Sequence, residues 1–246
     1  RRVADEPPNF GAAALQGSPH AGLACVTCHQ DLEGKEPPHA TKPARVDCGS
    51  CHEAERSQYA ESIHGRAAEH GEKLAPTCKD CHGRHDVVKV GDQRSPANTV
   101  NVPALCGRCH HEGSPVQVKF RIPQDSILAN YSESIHGEGL YKRGLTVTAV
   151  CTSCHTAHHV LPHTDPRSSI SRGNVAATCT QCHARIEAVH RKIIRGELWE
   201  KQAHTIPACV DCHQPHRVRK VFYTQGMSDG DCLTCHNREG LRSRDG

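Results

Sequence analysis

The sequence predicts a single continuous body of short helices and irregular loops in which side chains do not form the main core. The 246-residue chain has only eight aromatic residues, and without its 16 cysteines about 30% of it is apolar, against roughly 45–50% in an ordinary domain. It is also interrupted by 20 glycines and 15 prolines. Such a chain is disordered, cross-linked by disulfides, or folded around a bound group. The positions of its cysteines and histidines decide between these cases.

All 16 cysteines lie in eight Cys-x-x-Cys-His pentads. The cysteines are Cys25 and Cys28, Cys48 and Cys51, Cys78 and Cys81, Cys106 and Cys109, Cys151 and Cys154, Cys179 and Cys182, Cys209 and Cys212, and Cys232 and Cys235. The adjoining histidines are His29, His52, His82, His110, His155, His183, His213 and His236. In this motif two thiols add to the vinyl groups of haem, and the adjacent imidazole binds the iron from one face. The pentads therefore predict eight c-type haems, which would form the apolar interior.

Other uses of paired cysteines explain the pattern less well. Disulfides leave the recurrent histidine unexplained, because joining two sulfurs needs no imidazole beside them. Zinc ribbons use two cysteine pairs for each ion and do not need a histidine after every pair. A thioredoxin-like redox pair requires a βαβ context that this chain does not show. Haem attachment is the interpretation that uses every cysteine and every adjoining histidine.

An internal repeat divides the chain into four predicted two-haem units, roughly 15–52, 59–110, 131–183 and 199–236, with flanking tails 1–14 and 237–246. In the last three units an aromatic residue precedes a histidine by five positions, as in the segments that end at His64, His136 and His204. A further histidine follows the first pentad of these units by three residues. Each unit thus has two pentads and two additional histidines.

These additional histidines are the predicted ligands for the second face of each iron. The predicted set is His20, His39, His64, His85, His136, His158, His204 and His216. The first unit matches the repeat least well, because Leu32 stands where later units have the histidine that follows the first pentad. His39 is its substitute. The repeat alone does not say which of these histidines binds which iron.

Two other histidines are alternatives to members of this set. His190 lies on the apolar face of the only long helical pattern, 184–204, and is an alternative to His39. His159 is adjacent to His158 and is an alternative to it. Both alternatives stay open at the level of sequence.

An iron with imidazole on both faces has no vacant position for a substrate, so it can only exchange electrons. Two imidazoles without a methionine ligand also favour the lower part of the haem potential range. We therefore predict an electron-transfer protein that is not an enzyme. The alternative is a multihaem reductase with one open-site haem that acts on a small nitrogen or sulfur substrate.

Charge and hydropathy predict where the chain works. Its formal charge is +3 and its basic residues are scattered, which argues against nucleic acid as a partner. No apolar run approaches the ~18 residues that cross a bilayer, so we expect a protein that is not integral to the membrane. The chain opens on Arg1-Arg2-Val3 without an apolar segment, and we expect that an export signal has already been removed.

The eight pentads, the Ser-Ile-His-Gly segments around His64 and His136, and the Cys-His-x-x-His segments resemble multihaem c-type cytochromes. The resemblance is to the bis-histidine electron-transfer type of respiratory and metal-reducing organisms, including conduit and extracellular filament cytochromes. It implies a mostly irregular fold with short α-helices, little or no β-structure and closely stacked haems. It also implies export to the periplasm, cell surface or extracellular space. The implied partners are other redox proteins, copies of the same chain that stack haem to haem, or an extracellular acceptor.

Overall fold

The computed structural model describes residues 11–35, 43–122, 124, 126–184 and 208–219. Within these ranges the regular structure consists of short α-helices and two 3-10 turns, and these ranges contain no β-strand. The predicted class, a mostly irregular chain with short helices, is therefore confirmed.

The helices follow one another in the order of the pentads and of the segments between them. Their bounds are α1 (Gly11–Gln16), α2 (Cys25–Cys28), α3 (Glu53–Glu61), α4 (Ile63–Glu69), α5 (Cys78–His82), α6 (Val102–Gly107), α7 (Pro115–Phe120), α8 (Ile127–Glu133), α9 (Ile135–Arg143), α10 (Cys151–His155), α11 (Val175–Thr180) and α12 (Cys209–Cys212), with 3-10 turns at Gln30–Leu32 and Cys48–Ser50. The longest of these described helices have nine residues. Helices this short are marginal by themselves in water, so other contacts must hold them.

The side-chain core of the described residues is small. One cluster of buried apolar residues is found there, formed by Val102, Tyr131, Leu140 and Val150. Nearly as many serines as apolar residues are buried in the described ranges. A chain whose interior contains so few large apolar side chains gains little stability from burying them.

A tight corner joins α3 to α4, and its residues explain the Ser-Ile-His-Gly segment. The Ser62 hydroxyl donates to the carbonyl of Tyr59 at 2.7 Å and accepts from the Gly65 amide at 3.0 Å. A Cβ atom on Gly65 would lie 1.9 Å from the Tyr59 carbonyl oxygen, so the corner requires glycine there. His64 is consequently fixed as the second residue of α4.

The corner between α8 and α9 repeats this arrangement. The Ser134 hydroxyl donates to the Tyr131 carbonyl at 2.6 Å and accepts from the Gly137 amide at 3.0 Å. A Cβ atom on Gly137 would lie 2.0 Å from the Tyr131 carbonyl oxygen. His136 therefore occupies the same place in α9 as His64 does in α4.

The tyrosine of each corner also fixes the pentad that follows it. The Tyr59 hydroxyl donates to the carbonyl of Pro76 at 2.7 Å, and the Tyr131 hydroxyl donates to that of Ala149 at 3.1 Å. Both carbonyls lie two residues before the first cysteine of a pentad. One side chain thus connects a candidate distal histidine to the next candidate attachment site.

An asparagine organises the loop between the two pentads in the second and in the third of the predicted units. The Asn101 amide donates to the carbonyls of Gln93 at 2.7 Å and Ser95 at 2.8 Å. Asn174 makes the two equivalent bonds at 2.8 and 2.9 Å. Each asparagine precedes a pentad by five residues, so the bonds set the direction from which the chain enters that pentad.

Part of the predicted architecture lies outside the described residues. This applies to nearly all of the predicted helix over 184–204 and to the last pentad. In the ranges that are described, no helix has the length and apolar character needed to cross a membrane.

Candidate haem sites

Each described pentad forms a single helical turn. The histidine amide donates to the carbonyl of the first cysteine at 2.8–3.1 Å in the pentads of His29, His52, His110, His183 and His213. In the other two described pentads the histidine is the last residue of α5 or α10. Residues separated by three or four positions share one face of a helix. The spacing therefore brings two thiols and one imidazole to the same side of the chain, as covalent haem attachment requires.

The side chains of thirteen cysteines are described, and none of these thirteen is joined in a disulfide. The side chain of Cys212 and the whole pentad 232–236 lie outside the described residues. The last of the eight predicted attachment sites, which includes Cys232, Cys235 and His236, therefore stays a prediction.

Six of the seven described pentad histidines face a histidine from the predicted distal set. The pairs, with the distances between their ring centres, are His20 and His52 at 6.1 Å, His29 and His85 at 6.1 Å, His64 and His110 at 6.2 Å, His82 and His158 at 6.0 Å, His136 and His183 at 5.9 Å, and His155 and His216 at 5.9 Å. Each pair joins one pentad histidine to one predicted distal histidine. The structure thus brings together the two classes that the sequence separates.

The ring separations fit an iron atom between two imidazoles. Two metal–nitrogen bonds of about 2 Å, together with about 1.1 Å from each nitrogen to its ring centre, place the ring centres roughly 6 Å apart. The described residues contain no cluster of three or more histidine, cysteine, aspartate or glutamate side chains that suits a bare metal ion. A pair of axial ligands fits a haem, because the porphyrin itself supplies the four equatorial nitrogens.

Burial and a facing ring favour the neutral form of three paired rings, those of His64, His155 and His136. Burial, followed by the facing ring of His110, lowers the pKa of His64 to about 4. Burial, followed by His216, lowers the pKa of His155 to about 4. Burial also lowers the pKa of His136, with the facing His183 as the second cause. Iron binds the neutral imidazole, so these pKa values hold the rings in the form that an axial ligand needs.

His216 has a second partner that orients its ring. Its Nδ1 atom forms a hydrogen bond with Oε1 of Gln124, while its ring centre lies 5.9 Å from that of the facing His155. The two rings are nearly parallel, with 9° between their planes. A hydrogen bond to the outer nitrogen of a metal-binding imidazole fixes its tautomer and raises its basicity. By contrast, Nδ1 of His29 and of His213 is buried without a hydrogen-bond partner among the described residues.

Some candidate ligands lie outside the described residues, and one pentad histidine has no facing ring within them. His39, His190 and His204 lie outside the described residues, so the alternative between His39 and His190 is not addressed. His213 faces no other imidazole in the part of the chain that the structure describes. Of the adjacent pair, His158 faces His82, whereas Nε2 of His159 lies 3.4 Å from a carboxylate oxygen of Glu61. The geometry thus favours His158 as the ligand.

Several residues that position these rings were not among the site residues predicted from the sequence. The repetition of tyrosine, serine and glycine around His64 and His136 was visible, and it signalled a shared local structure whose contacts are now explained. Gln124 left no comparable signal, because it is a single residue located 92 positions from the histidine that it orients.

Comparisons with known proteins give partial similarities. No family model matches the chain, and no solved structure matches it. The chain is 30% identical over 99 residues to "Multiheme cytochrome MtrA" of Shewanella baltica, which covers 39% of this chain and 27% of that protein. It is 36% identical over 74 residues to "Chaperone protein DnaJ" of Mycoplasma genitalium, which covers 30% of this chain and 18% of the chaperone. Each match therefore spans only a minor part of the relative.

Proposed function

We propose that this chain is a multihaem c-type cytochrome that holds eight haems and transfers electrons outside the cytoplasmic membrane. The observation that carries the proposal is the set of six pairs of facing imidazoles, each of which includes one pentad histidine. The partial similarity to a multihaem cytochrome supports the same class. We give it more weight than the chaperone similarity, because it accounts for the histidine after every cysteine pair.

The residues of the chain would divide the work among three roles. The pentad thiols hold the haem covalently, the pentad histidine binds one face of the iron, and the distal histidine binds the other. When bound, haem supplies an iron that gains or loses one electron. At the six paired sites the chain would fill both axial positions, so no position would stay open there for a substrate. The role is therefore electron transfer in respiration or towards an extracellular acceptor.

Replacement of one distal ligand tests this proposal. The variant His64→Met exchanges an imidazole for a thioether, and methionine and histidine ligation raises the potential of a haem above that of two histidines. We expect the reduction potential of one haem to be higher in a redox titration, with the others unchanged. The control His70→Met changes an exposed residue in the same segment and should change no haem potential. An unchanged titration of His64→Met would contradict the assignment of His64.

The alternative function, an open-site reductase, rests on a specific observation. His213 faces no imidazole among the described residues, and the candidates His39 and His204 lie outside them. A high-spin ferric signal at low temperature, together with a carbon monoxide adduct under native conditions, would support this alternative. A spectrum with low-spin iron alone would support the electron carrier.

Two forms of electron carrier fit the proposal: a protein that exchanges electrons with other redox proteins, and a subunit that stacks with its own copies into a conductive filament. Electron microscopy of the purified protein separates them. Ordered filaments would support the second form. Discrete particles at high protein concentration would support the first.

A further inference from the structure

We propose that neighbouring units are interlocked by their irons, so that the first haem of each of the first three units receives its distal histidine from the next unit. This inference rests on the proposed function. Three ring pairs lie within one unit: His20 with His52, His64 with His110, and His136 with His183. The other three cross a boundary: His29 with His85, His82 with His158, and His155 with His216. At all three boundaries between units, the histidine of a first pentad thus faces a histidine of the next unit.

Backbone hydrogen bonds support the same register independently of the imidazoles. The amide of Ile63 donates to the carbonyl of Val160 at 2.9 Å, and the amide of Ile135 donates to that of Val218 at 2.8 Å. Both isoleucines directly precede a distal histidine, and both valines lie two residues after the distal histidine of the next unit. At the first boundary, Pro19 occupies the position of these isoleucines. Proline has no amide hydrogen to donate, so this hydrogen bond cannot form there.

Glutamates at equivalent positions of two units each contact an arginine of the next unit, although the two arginines are not at equivalent positions. The Glu61 carboxylate contacts Arg167 of the next unit at 2.8 Å. In the following unit, Glu133 occupies the equivalent position and contacts Arg217 at 2.7 Å. These pairs are about half exposed, so each contributes little stability. The alignment of the units is reported instead by His159, which occupies the position equivalent to Arg217 and whose Nε2 lies 3.4 Å from a carboxylate oxygen of Glu61.

The attachment thiols show the order in which the haems would lie. Cysteine side chains of the second pentad of one unit lie beside those of the first pentad of the next unit: Cys48 beside Cys78, Cys106 beside Cys151, and Cys179 beside Cys209. Haems attached there are neighbours in space as well as in sequence. We therefore infer an electron path that follows the order of the pentads along the chain.

Interlocking makes a prediction that self-contained units do not make. His85 follows the pentad of Cys78 and Cys81 by three residues, yet the iron that it binds is the one attached at Cys25 and Cys28. If units were self-contained, His85 would bind an iron of its own unit. Removal of the haem at Cys25 and Cys28 separates the two arrangements.

The test compares His85→Met in two backgrounds, the full chain and a C25A/C28A variant that carries one haem fewer by mass. In the full chain we expect one centre displaced upward in a redox titration. In C25A/C28A we expect His85→Met to change no haem potential, because the haem whose iron His85 would bind is absent. His64→Met is the matched control, and it should displace one centre in both backgrounds. A centre still displaced by His85→Met in C25A/C28A would overturn the interlocking while the proposed function stands.

An experimental structure of the intact, haem-loaded protein gives a second test that does not depend on the folding of a variant. We expect Nε2 of His85 about 2 Å from the iron attached at Cys25 and Cys28. A bond from His85 to any other iron, or no bond to iron, would overturn the interlocking. A protein without covalent haem would instead overturn the proposed function on which it rests.

Discussion

A distal imidazole can be positioned through its backbone or through a hydrogen bond to its outer ring nitrogen. For His64 the backbone is held by the corner between α3 and α4, where Ser62 caps the second helix. For His216 the outer nitrogen is held by Gln124. The Ser62 cap and the Gln124 hydrogen bond act on different atoms, so the loss of each contact should have a different effect.

Removal of the Gln124 acceptor should change one redox potential. In Gln124→Leu, Nδ1 of His216 loses its partner and the imidazole becomes a weaker donor to iron, which disfavours the ferric state. We expect one centre displaced upward in a redox titration, by less than in His216→Met. Gln93→Leu, at an exposed position, should displace none. Identical titrations for Gln124→Leu and the unmodified protein would contradict the orienting role.

A methyl group at the corner between α8 and α9 should destabilise the protein. Gly137→Ala places a Cβ atom where only 2.0 Å separates it from the Tyr131 carbonyl oxygen, and relief of such overpacking costs about 1–3 kcal/mol. We expect this loss in guanidinium denaturation of the haem-loaded protein followed by circular dichroism. Gly173→Ala, which has no atom within 4 Å of its Cβ, should stay within about 0.5 kcal/mol of the original. Equal stabilities of the two variants would count against the close approach.

At the scale of elements, corners and pentads are connected in pairs. A tyrosine in the last turn of the first helix of a corner donates its hydroxyl to the segment that enters the next pentad. Burial raises the pKa of the Tyr131 hydroxyl, so it stays a neutral donor at physiological pH. Each helix is too short to be stable alone, so such contacts, together with the proposed haem irons, would hold the helices.

Loss of this hydroxyl should weaken one connection. Tyr131→Phe removes the hydrogen bond to the Ala149 carbonyl, and a bond of this kind contributes about 0.5–1.5 kcal/mol. The free energy of unfolding of the haem-loaded protein should fall by that amount. Tyr141→Phe, in which the altered residue is 51% exposed, should have a smaller effect. The prediction fails if Tyr141→Phe is the more damaging substitution.

Some elements could be predicted from sequence because their residues are close together. The pentads and the histidines at His64, His85, His136 and His158 follow from local repeats. The partners of those histidines could not be predicted, because they depend on how one unit is placed on the next. A repeat reveals equivalent positions within each unit, whereas the ring pair of His29 and His85 depends on a contact across the boundary between two units.

For the whole molecule, the described residues bury few large apolar side chains, and the proposed haems would supply the missing interior. The chain without haem should therefore be unfolded, because its backbone entropy is not offset by burial. Far-UV circular dichroism of a variant with all 16 cysteines replaced by alanine should show a mostly disordered chain. A cooperative unfolding transition of that variant would contradict this expectation.

The interlocked arrangement would also order the units along a single electron path. If each unit completes the first iron of the one before it, the units form a linear series in which electrons enter at one end and leave at the other. The register extended to the last unit pairs His204 with His236, which both lie outside the described residues. His204→Met should then displace a single centre, the one attached at Cys232 and Cys235.

The mass of the intact, denatured protein after export by a host that attaches haem tests the central claim most directly. Thioether bonds survive denaturation, so the account predicts the mass of the polypeptide plus eight haems. The mass of the polypeptide alone, or with fewer than eight haems, would contradict it.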